Sequence, residues 1–426
     1  MHLIPAVSGG VASPLYAWKI NKYSVLNATE LIITNLKTYL VGGAVRDKLL
    51  GLPVKDRDWV VVGASPEQML ELGYEQVGKD FPVFLHPETK EEYALARTEK
   101  KSGTGHTGFT VDASETVTLE EDLLRRDLTI NAMAEDEDGN LIDPYGGRED
   151  LNNKILRHVS DAFTEDPLRV LRVARFSARF AHLGFEVAQE TLQMMEQLVN
   201  STEMNTLPAE RIWQEVRRAL SEKTPAFFFL TLRDCYALGT VLQEIEGLFG
   251  ISQEKARLSL MALTKAAELT PDTAIRFAAL CHELGVVHEF TLRKNLRKLH
   301  SLCERLKVPN DHRELAEIVC SYCDDYARID ISVPESILKL FENTDAFRRP
   351  ERFQFFLTSC KAIGKARGET DENLDHMNGM LQRALDTCLN LDTSSLQDAG
   401  YEGEEFGIKL YELRLQTIKD IFSYDS

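Results

Sequence analysis

The rhythm of apolar and polar positions along this chain changes once, near residue 155. Before that point, short apolar runs alternate with polar stretches that contain Gly, Pro and acidic residues. Tyr39–Val41, Trp59–Val62, Val83–Leu85 and Glu92–Ala96 read as strands. Between the first two, Ala44–Leu50 has helical composition and is stopped by Gly51 and Pro53. Ser65-Pro66-Glu67-Gln68 predicts a helix start, with Ser as cap and Pro at the first helical position. Residues 98–118 are polar and rich in glycine (Gly103, Gly105, Gly108), which predicts a mobile loop. After about residue 160 a helical period holds almost to the end. Ser332-Val333-Pro334-Glu335 and Thr393-Ser394-Ser395-Leu396-Gln397 read as helix starts, and Gly400–Gly407 as an acidic turn before a last helix. The fold class is therefore α+β, a mixed α/β head followed by an all-helical remainder.

Composition narrows this modestly. With 426 residues, 43% hydrophobic and 27% charged, the chain can bury a large core spread over several units. No apolar run approaches a membrane span. Residues 1–36 lack the basic start and long apolar stretch of a signal peptide, and read as a mobile N-terminal extension. Seven scattered cysteines, with Cys320-x-x-Cys323 as a single close pair, read as reduced thiols of a cytoplasmic protein. A net charge of −18 weighs against a nucleic-acid partner, but binding needs a local basic face and not a basic total. Much of the acid sits in Glu120-Glu121-Asp122, in Glu135–Asp138 and near the C-terminus. Residues 169–179 and 293–307 run the other way.

The chemistry gathers in residues 39–63. Gly42 and Gly43 can take positive φ and let a ligand approach the backbone. Asp56 and Asp58 are one residue apart, so on a strand they project from one face and repel each other unless a cation lies between them. Hard oxygen ligands of this kind suit Mg²⁺. An isolated Asp-x-Asp is equally what a solvated loop presents. Joined as Gly42-Gly43-Ala44-Val45-Arg46-Asp47, eight residues, then Asp56-Arg57-Asp58 at the head of an apolar strand, the pattern is far more specific.

This stretch resembles the catalytic signature of the class II nucleotidyltransferases of the polymerase-β superfamily. Within them it is similar to the bacterial CCA-adding tRNA nucleotidyltransferases of enterobacterial type, whose form of the motif is Lys55-Asp56-Arg57-Asp58-Trp59-Val60-Val61-Val62-Gly63. Further matches are Arg125-Arg126-Asp127-Leu128-Thr129-Ile130-Asn131-Ala132-Met133-Ala134, the turn Asp143–Leu151, Glu165-Asp166-Pro167-Leu168-Arg169 and Glu210–Glu215. The resemblance implies a nucleotidyltransferase head over 37–155, a neck over 156–225, a body over 226–330 and a tRNA-binding tail over 331–426. It implies CTP, ATP and tRNA as substrates, with no protein partner. It also implies Asp56 and Asp58 as catalytic Mg²⁺ ligands, and Gly43 and Arg46 on the triphosphate or ribose. Arg126, Arg172 and Arg175 would add charge, and Asp166 and Arg169 would read the base. Glu92 is either a third carboxylate of the site or a solvated edge acid.

Taken by themselves, Arg169, Arg172, Arg175 and Arg179 line one helical face, which an amphipathic helix with a solvated basic side would also show. Ile275–Gly285 resembles the helix carrying the His-Asp pair of an HD phosphohydrolase, but Glu283 stands where the Asp is expected. No histidine precedes it in Lys255–Ala267, and Val287-His288-Glu289-Phe290 leads straight into Arg293-Lys294. Hydrolase chemistry is expected to be absent. Two rival readings remain at this stage, a poly(A) polymerase or partial CCA-adding enzyme and a catalytically silent tRNA-binding protein.

Overall fold

The computed structural model describes residues 36–77, 83–101, 109–287 and 294–423. The expected N-terminal extension and the glycines Gly103, Gly105 and Gly108 lie outside the described residues. The described chain divides into two compact units. One holds the sheet and its helices up to Asn153 together with His158–Phe163, and the other holds Lys154–Arg157 and the chain from Thr164 onward.

The first unit is built on a mixed seven-stranded sheet. Its strands are β1 (Lys37–Val41), β2 (Asp58–Val62), β3 (Glu75–Val77), β4 (Val83–Leu85), β5 (Glu92–Leu95), β8 (Ala134–Glu135) and β9 (Leu141–Ile142), in the order β3-β4-β5-β2-β1-β8-β9. The run Val60-Val61 is apolar on consecutive residues because both faces of β2 are covered. Val60 packs with Val41, Leu119, Leu123 and Ala134. Val61 packs on the other side with Met69, Phe84, Tyr93 and Leu95. The helix start at Ser65 is a full capping box. Ser65 Oγ accepts from Gln68 N at 3.3 Å, while Gln68 Oε1 accepts from Ser65 N at 2.8 Å. The region expected to be loop is partly ordered otherwise, since β6 (Thr98–Lys101) and β7 (Phe109–Asp112) pair as an antiparallel hairpin.

The second unit is helical, as its period predicts, apart from short strand pairs at 155–156 with 186–187 and at 286–287 with 294–295. Its core is aromatic, with Phe228, Phe229, Phe277, Phe341, Phe353 and Phe356 all sequestered from solvent. The final helix, Gly403–Ser423, begins inside the stretch expected to be a turn. All seven cysteines are buried thiols. No described helix is long and apolar enough to cross a membrane.

Candidate active site

In the head, β1 leads through Gly42 into helix α1 (Gly43–Leu49), and β2 returns antiparallel beside β1 with Val41 opposite Asp58. Only Gly42 takes positive φ (68°); Gly43 does not. A Cβ on Gly42 would come within 2.9 Å of the Arg126 guanidinium, so both conformation and space call for glycine there.

Asp58 is the first residue of β2, whereas Asp56 lies in the irregular segment before it. The expectation that both sit on one strand is corrected in that respect, because β1 has no residue left to pair beyond Val41. Both carboxylates are exposed and line a cleft of about 510 Å³ with Arg57, Glu91 and Glu92. The parallel register of β2 and β5 sets Asp58 opposite Glu92, so Glu92 is on a strand beside the pair. The Asp58 carboxyl is raised above its ordinary value, first by partial desolvation and then by the charge of Asp56, against a lowering contribution from Arg126. A folded value above the unfolded one means that ionised Asp58 lowers stability at neutral pH, as expected of a group kept for chemistry. Trp59 braces this rim. Its indole N–H donates to Glu91 Oε2 at 2.9 Å, and its ring stacks on Tyr93 with centroids 5.5 Å apart.

Behind the cleft lies a polar network that the sequence did not show. Arg46 is 3% exposed. Its Nε donates to Asp47 Oδ1 at 2.8 Å, and its guanidinium also bonds Asn131 Oδ1. Asn131 Nδ2 in turn donates to Asp127 Oδ1 at 2.9 Å. Arg46, expected on the triphosphate or ribose, is thus taken up in ordering the glycine turn against the Asp127–Asn131 segment. That segment is anchored from outside as well, because Thr129 Oγ1 donates to Asp150 Oδ2 at 2.7 Å. A Cβ on Gly147 would come within 2.3 Å of the Thr129 carbonyl, so the turn after Asp143 must close with glycine.

Arg126 is half-buried. It donates to Asp122 Oδ2 at 3.0 Å and to the Asn131 carbonyl at 3.3 Å, and stands near enough to Asp58 to act on its charge. Asp122, one of the acidic run Glu120-Glu121-Asp122, is fully buried and also holds Arg125 at 2.6 Å. Burial alone would raise its carboxyl, but the charges and hydrogen bonds of Arg126 and Arg125 outweigh that and hold it below the ordinary value. The available sequence signal was the spacing of three and four residues to the two arginines. Replacing Asp122 by Asn is expected to cost on the order of 2 kcal/mol at neutral pH. A lowered folded value makes this contribution complete above the ordinary carboxylate range and lost as pH falls through the folded value. Urea melts from about pH 7 to about pH 3 should show wild type and variant converging in acid. A gap that stays constant contradicts the ion-pair account.

In the helical unit, helix α2 (Leu168–Phe180) is buried almost all round, and the solvated basic face is not what the structure shows. Arg169 and Arg175 are each 8% exposed. Arg175 Nε donates to Glu215 Oε2 at 2.7 Å, and its guanidinium lies 4.6 Å from the Phe176 ring centre. Arg172 and Arg179 are half-buried. Asp166 precedes the helix. Its Oδ1 accepts from Leu168 N at 3.0 Å and its Oδ2 from Arg211 at 3.0 Å. Helix Ala209–Ser221 therefore presents Arg211 and Glu215, one turn apart, to oppositely charged Asp166 and Arg175. The sequence marked Glu210–Glu215 as a motif match but assigned Arg211 and Glu215 no partners.

At the HD-like helix, His282 is 1% exposed and its Nδ1 lies 2.7 Å from the Ala279 carbonyl oxygen. Glu283 faces Lys255 at 3.1 Å and Arg367 at 3.7 Å, so cations of the protein itself neutralise it. Among the described residues no three His, Cys, Asp or Glu side chains are grouped to hold a metal. His288 and Arg293 lie outside the described residues. Of the basic run that follows, Arg305 is paired with Glu244 and the Val241 carbonyl, and Lys307 with Glu210.

Residues 38–157 match the family model described as the Poly A polymerase head domain. Residues 184–248 match the one described as a probable RNA and SrmB-binding site of polymerase A. The Multifunctional CCA protein of Thioalkalivibrio sulfidiphilus (strain HL-EbGR7) is 51% identical, covering 91% of this chain and 98% of its own. That of Hahella chejuensis (strain KCTC 2396) is 49% identical, covering 90% and 95%. The fold is also that of the Bacillus stearothermophilus CCA-adding enzyme in complex with CTP, at TM-score 0.65 and 24% identity over 96% of this chain and 94% of the other. A CCA-adding enzyme in complex with ATP gives TM-score 0.64 at 20% identity, over 93% and 90%. Identity near one half, sustained over nine-tenths of the chain, decides the matter: this protein belongs to the bacterial CCA-adding enzyme family.

Proposed function

We propose that this protein adds cytidine and adenosine residues, without a nucleic-acid template, to complete or repair the 3′-terminal CCA of tRNA, using CTP and ATP. The observation that carries this is the exposed pair Asp56 and Asp58, with Glu92 in register, at the mouth of a polar cleft in a chain so similar to proteins named for CCA. In the reaction the primer 3′-hydroxyl gives up its proton to solvent, its oxygen bonds to the α-phosphorus, the bond to the bridging oxygen breaks, and pyrophosphate leaves with its electron pair.

The donor set fits a hard divalent cation such as Mg²⁺, since it offers carboxylate oxygens that repel one another when both are ionised. When bound, such an ion lowers the pKa of the attacking hydroxyl and neutralises charge on the triphosphate. Asp56 and Asp58 would hold it, and Glu92 is placed to join them or to orient a water. The backbone at Gly43 receives the triphosphate at the start of α1, where no side chain stands between it and the ligand. Arg46 acts by fixing that turn. Arg126 sets positive charge beside the aspartates, and Asp122 holds it there. In the helical unit Asp166 and Arg169 read the base, Arg172 adds charge, and Arg175 is a positioning residue through Glu215. The chain beyond residue 225, as body and tail, binds tRNA, and the cytoplasm is the compartment its seven thiols suit.

The test is direct. Purified protein is given tRNA ending one, two or three residues short, with labelled CTP or ATP. Addition that stops at CCA supports the proposal. Unlimited adenylation would instead support a poly(A) polymerase, and no addition at all a silent binding protein.

The relatives' name calls them multifunctional, but in this chain the HD-like helix retains only His282 and Glu283, and Glu283 is already neutralised. No hydrolysis of 2′,3′-cyclic AMP is expected with Ni²⁺, Co²⁺ or Mg²⁺. Turnover that disappears in His282→Ala overturns this part of the reading.

A further inference from the structure

Helix Ala226–Asp234 passes into helix Ala237–Val241 through Cys235 and Tyr236. Tyr236 has φ 61° and ψ 10°, the left-handed conformation in which an L side chain crowds its own backbone. Glycine is the usual residue at this position after a helix. A buried side chain would repay that strain through packing. Tyr236 does not pack; at 69% exposure it is the most exposed large hydrophobic side chain among the described residues. An aromatic ring is thus kept where glycine would be better for the fold, with no structural return, and strain of this kind collects at functional sites.

The ring borders a cleft of about 500 Å³ whose other walls are Arg233, Asp234, Gly239 and Glu246. The Arg233 guanidinium lies over the Phe249 ring at 4.1 Å and faces Glu246 at 3.7 Å. One cation against two carboxylates is the wrong balance for a phosphate. A planar apolar face with a donor and acceptors beside it is the right chemistry for a base, which stacks on the ring and hydrogen-bonds at its edge. The whole cleft lies within 184–248, the stretch that matches an RNA-binding description.

We propose that Tyr236 is a stacking platform for an unpaired nucleobase of the RNA substrate, with Arg233 and Glu246 meeting the base edge. This rests on the reading of the chain as a tRNA-processing enzyme, so the wild-type preparation is first shown to add CCA. Affinity for tRNA lacking its CCA end is then measured by fluorescence anisotropy on the full chain, for Tyr236→Gly, Tyr236→Ala and Tyr236→Phe. Loss of a stacked base weakens binding by roughly 5- to 100-fold. That loss is expected in the glycine and alanine variants, while Tyr236→Phe stays within about twofold of wild type because it keeps the ring. KM for CTP should not change. Tyr236→Gly should melt at the wild-type temperature or about 2 °C above it, because it relieves the left-handed strain. Weaker tRNA binding in a variant that is no less stable cannot come from misfolding. Wild-type affinity in Tyr236→Gly overturns the proposal and leaves the ring to a protein partner. A wild type that adds no nucleotide overturns the function reading instead.

Discussion

Asp56→Ala and Asp58→Ala are each expected to reduce nucleotide addition to below a few per cent of wild type, a loss on the order of 10³-fold, with the fold intact. Each carboxylate is exposed, so removing it vacates no packed space and leaves no buried group unpaired. Stability is expected to stay the same or rise slightly, most clearly for Asp58→Ala, because ionised Asp58 is disfavoured first by partial desolvation and then by the charge of Asp56. What is lost is charge at the reacting phosphate, where cation-assisted stabilisation is worth several kcal/mol and a tenfold rate change corresponds to about 1.4 kcal/mol. The measurement is single-turnover addition of labelled CTP at saturating Mg²⁺, beside a thermal melt of each variant. A melting loss of many degrees with partial activity would show that the pair serves structure, and the metal assignment would be wrong. Glu92→Ala belongs in the same experiment, since a loss comparable to that of Asp56→Ala makes it a third member of the set.

The second large effect concerns the choice of base. Asp166 offers acceptors and Arg169 donors. Cytosine shows an amino donor beside ring acceptors, and adenine an amino donor beside N1, so one Asp–Arg pair satisfies both. Uracil and guanine turn an acceptor toward the aspartate or a donor toward the arginine. Each mismatch buries an unpaired polar group at about 1–3 kcal/mol, and two together give roughly hundredfold discrimination. Asp166→Ala and Arg169→Ala should therefore raise UTP or GTP use relative to CTP and ATP. Arg211 adds a way to separate roles. It touches Asp166 Oδ2 at 3.0 Å, so Arg211→Ala should move the same CTP-to-UTP ratio in the same direction by a smaller factor, with Arg211→Lys restoring part of it. Equal weakening of all four nucleotides in Arg169→Ala would make that residue a cation for phosphate and remove it from the reading pair.

Sequence by itself determined the class and the order of units. Periodicity separated a strand-bearing head from a helical remainder, because periods of two and 3.6 are local properties of the backbone that short windows reveal. It also brought out the Asp56–Asp58 pair and the helix start at Ser65, since each is a matter of residue type at short spacing. Tertiary structure alone decided what the charged residues face. Asp122 was one member of an acidic run and proved to be the buried anchor of Arg125 and Arg126. Arg175 looked like a free cation on a basic helix face and proved to be paired with Glu215, forty residues away. Arg46 looked open to ligand and is bonded to Asn131, eighty-five residues away. Nothing local distinguishes a solvated arginine from a buried, paired one. The difference is made by desolvation and by a partner from elsewhere in the chain, and neither exists until the chain is folded.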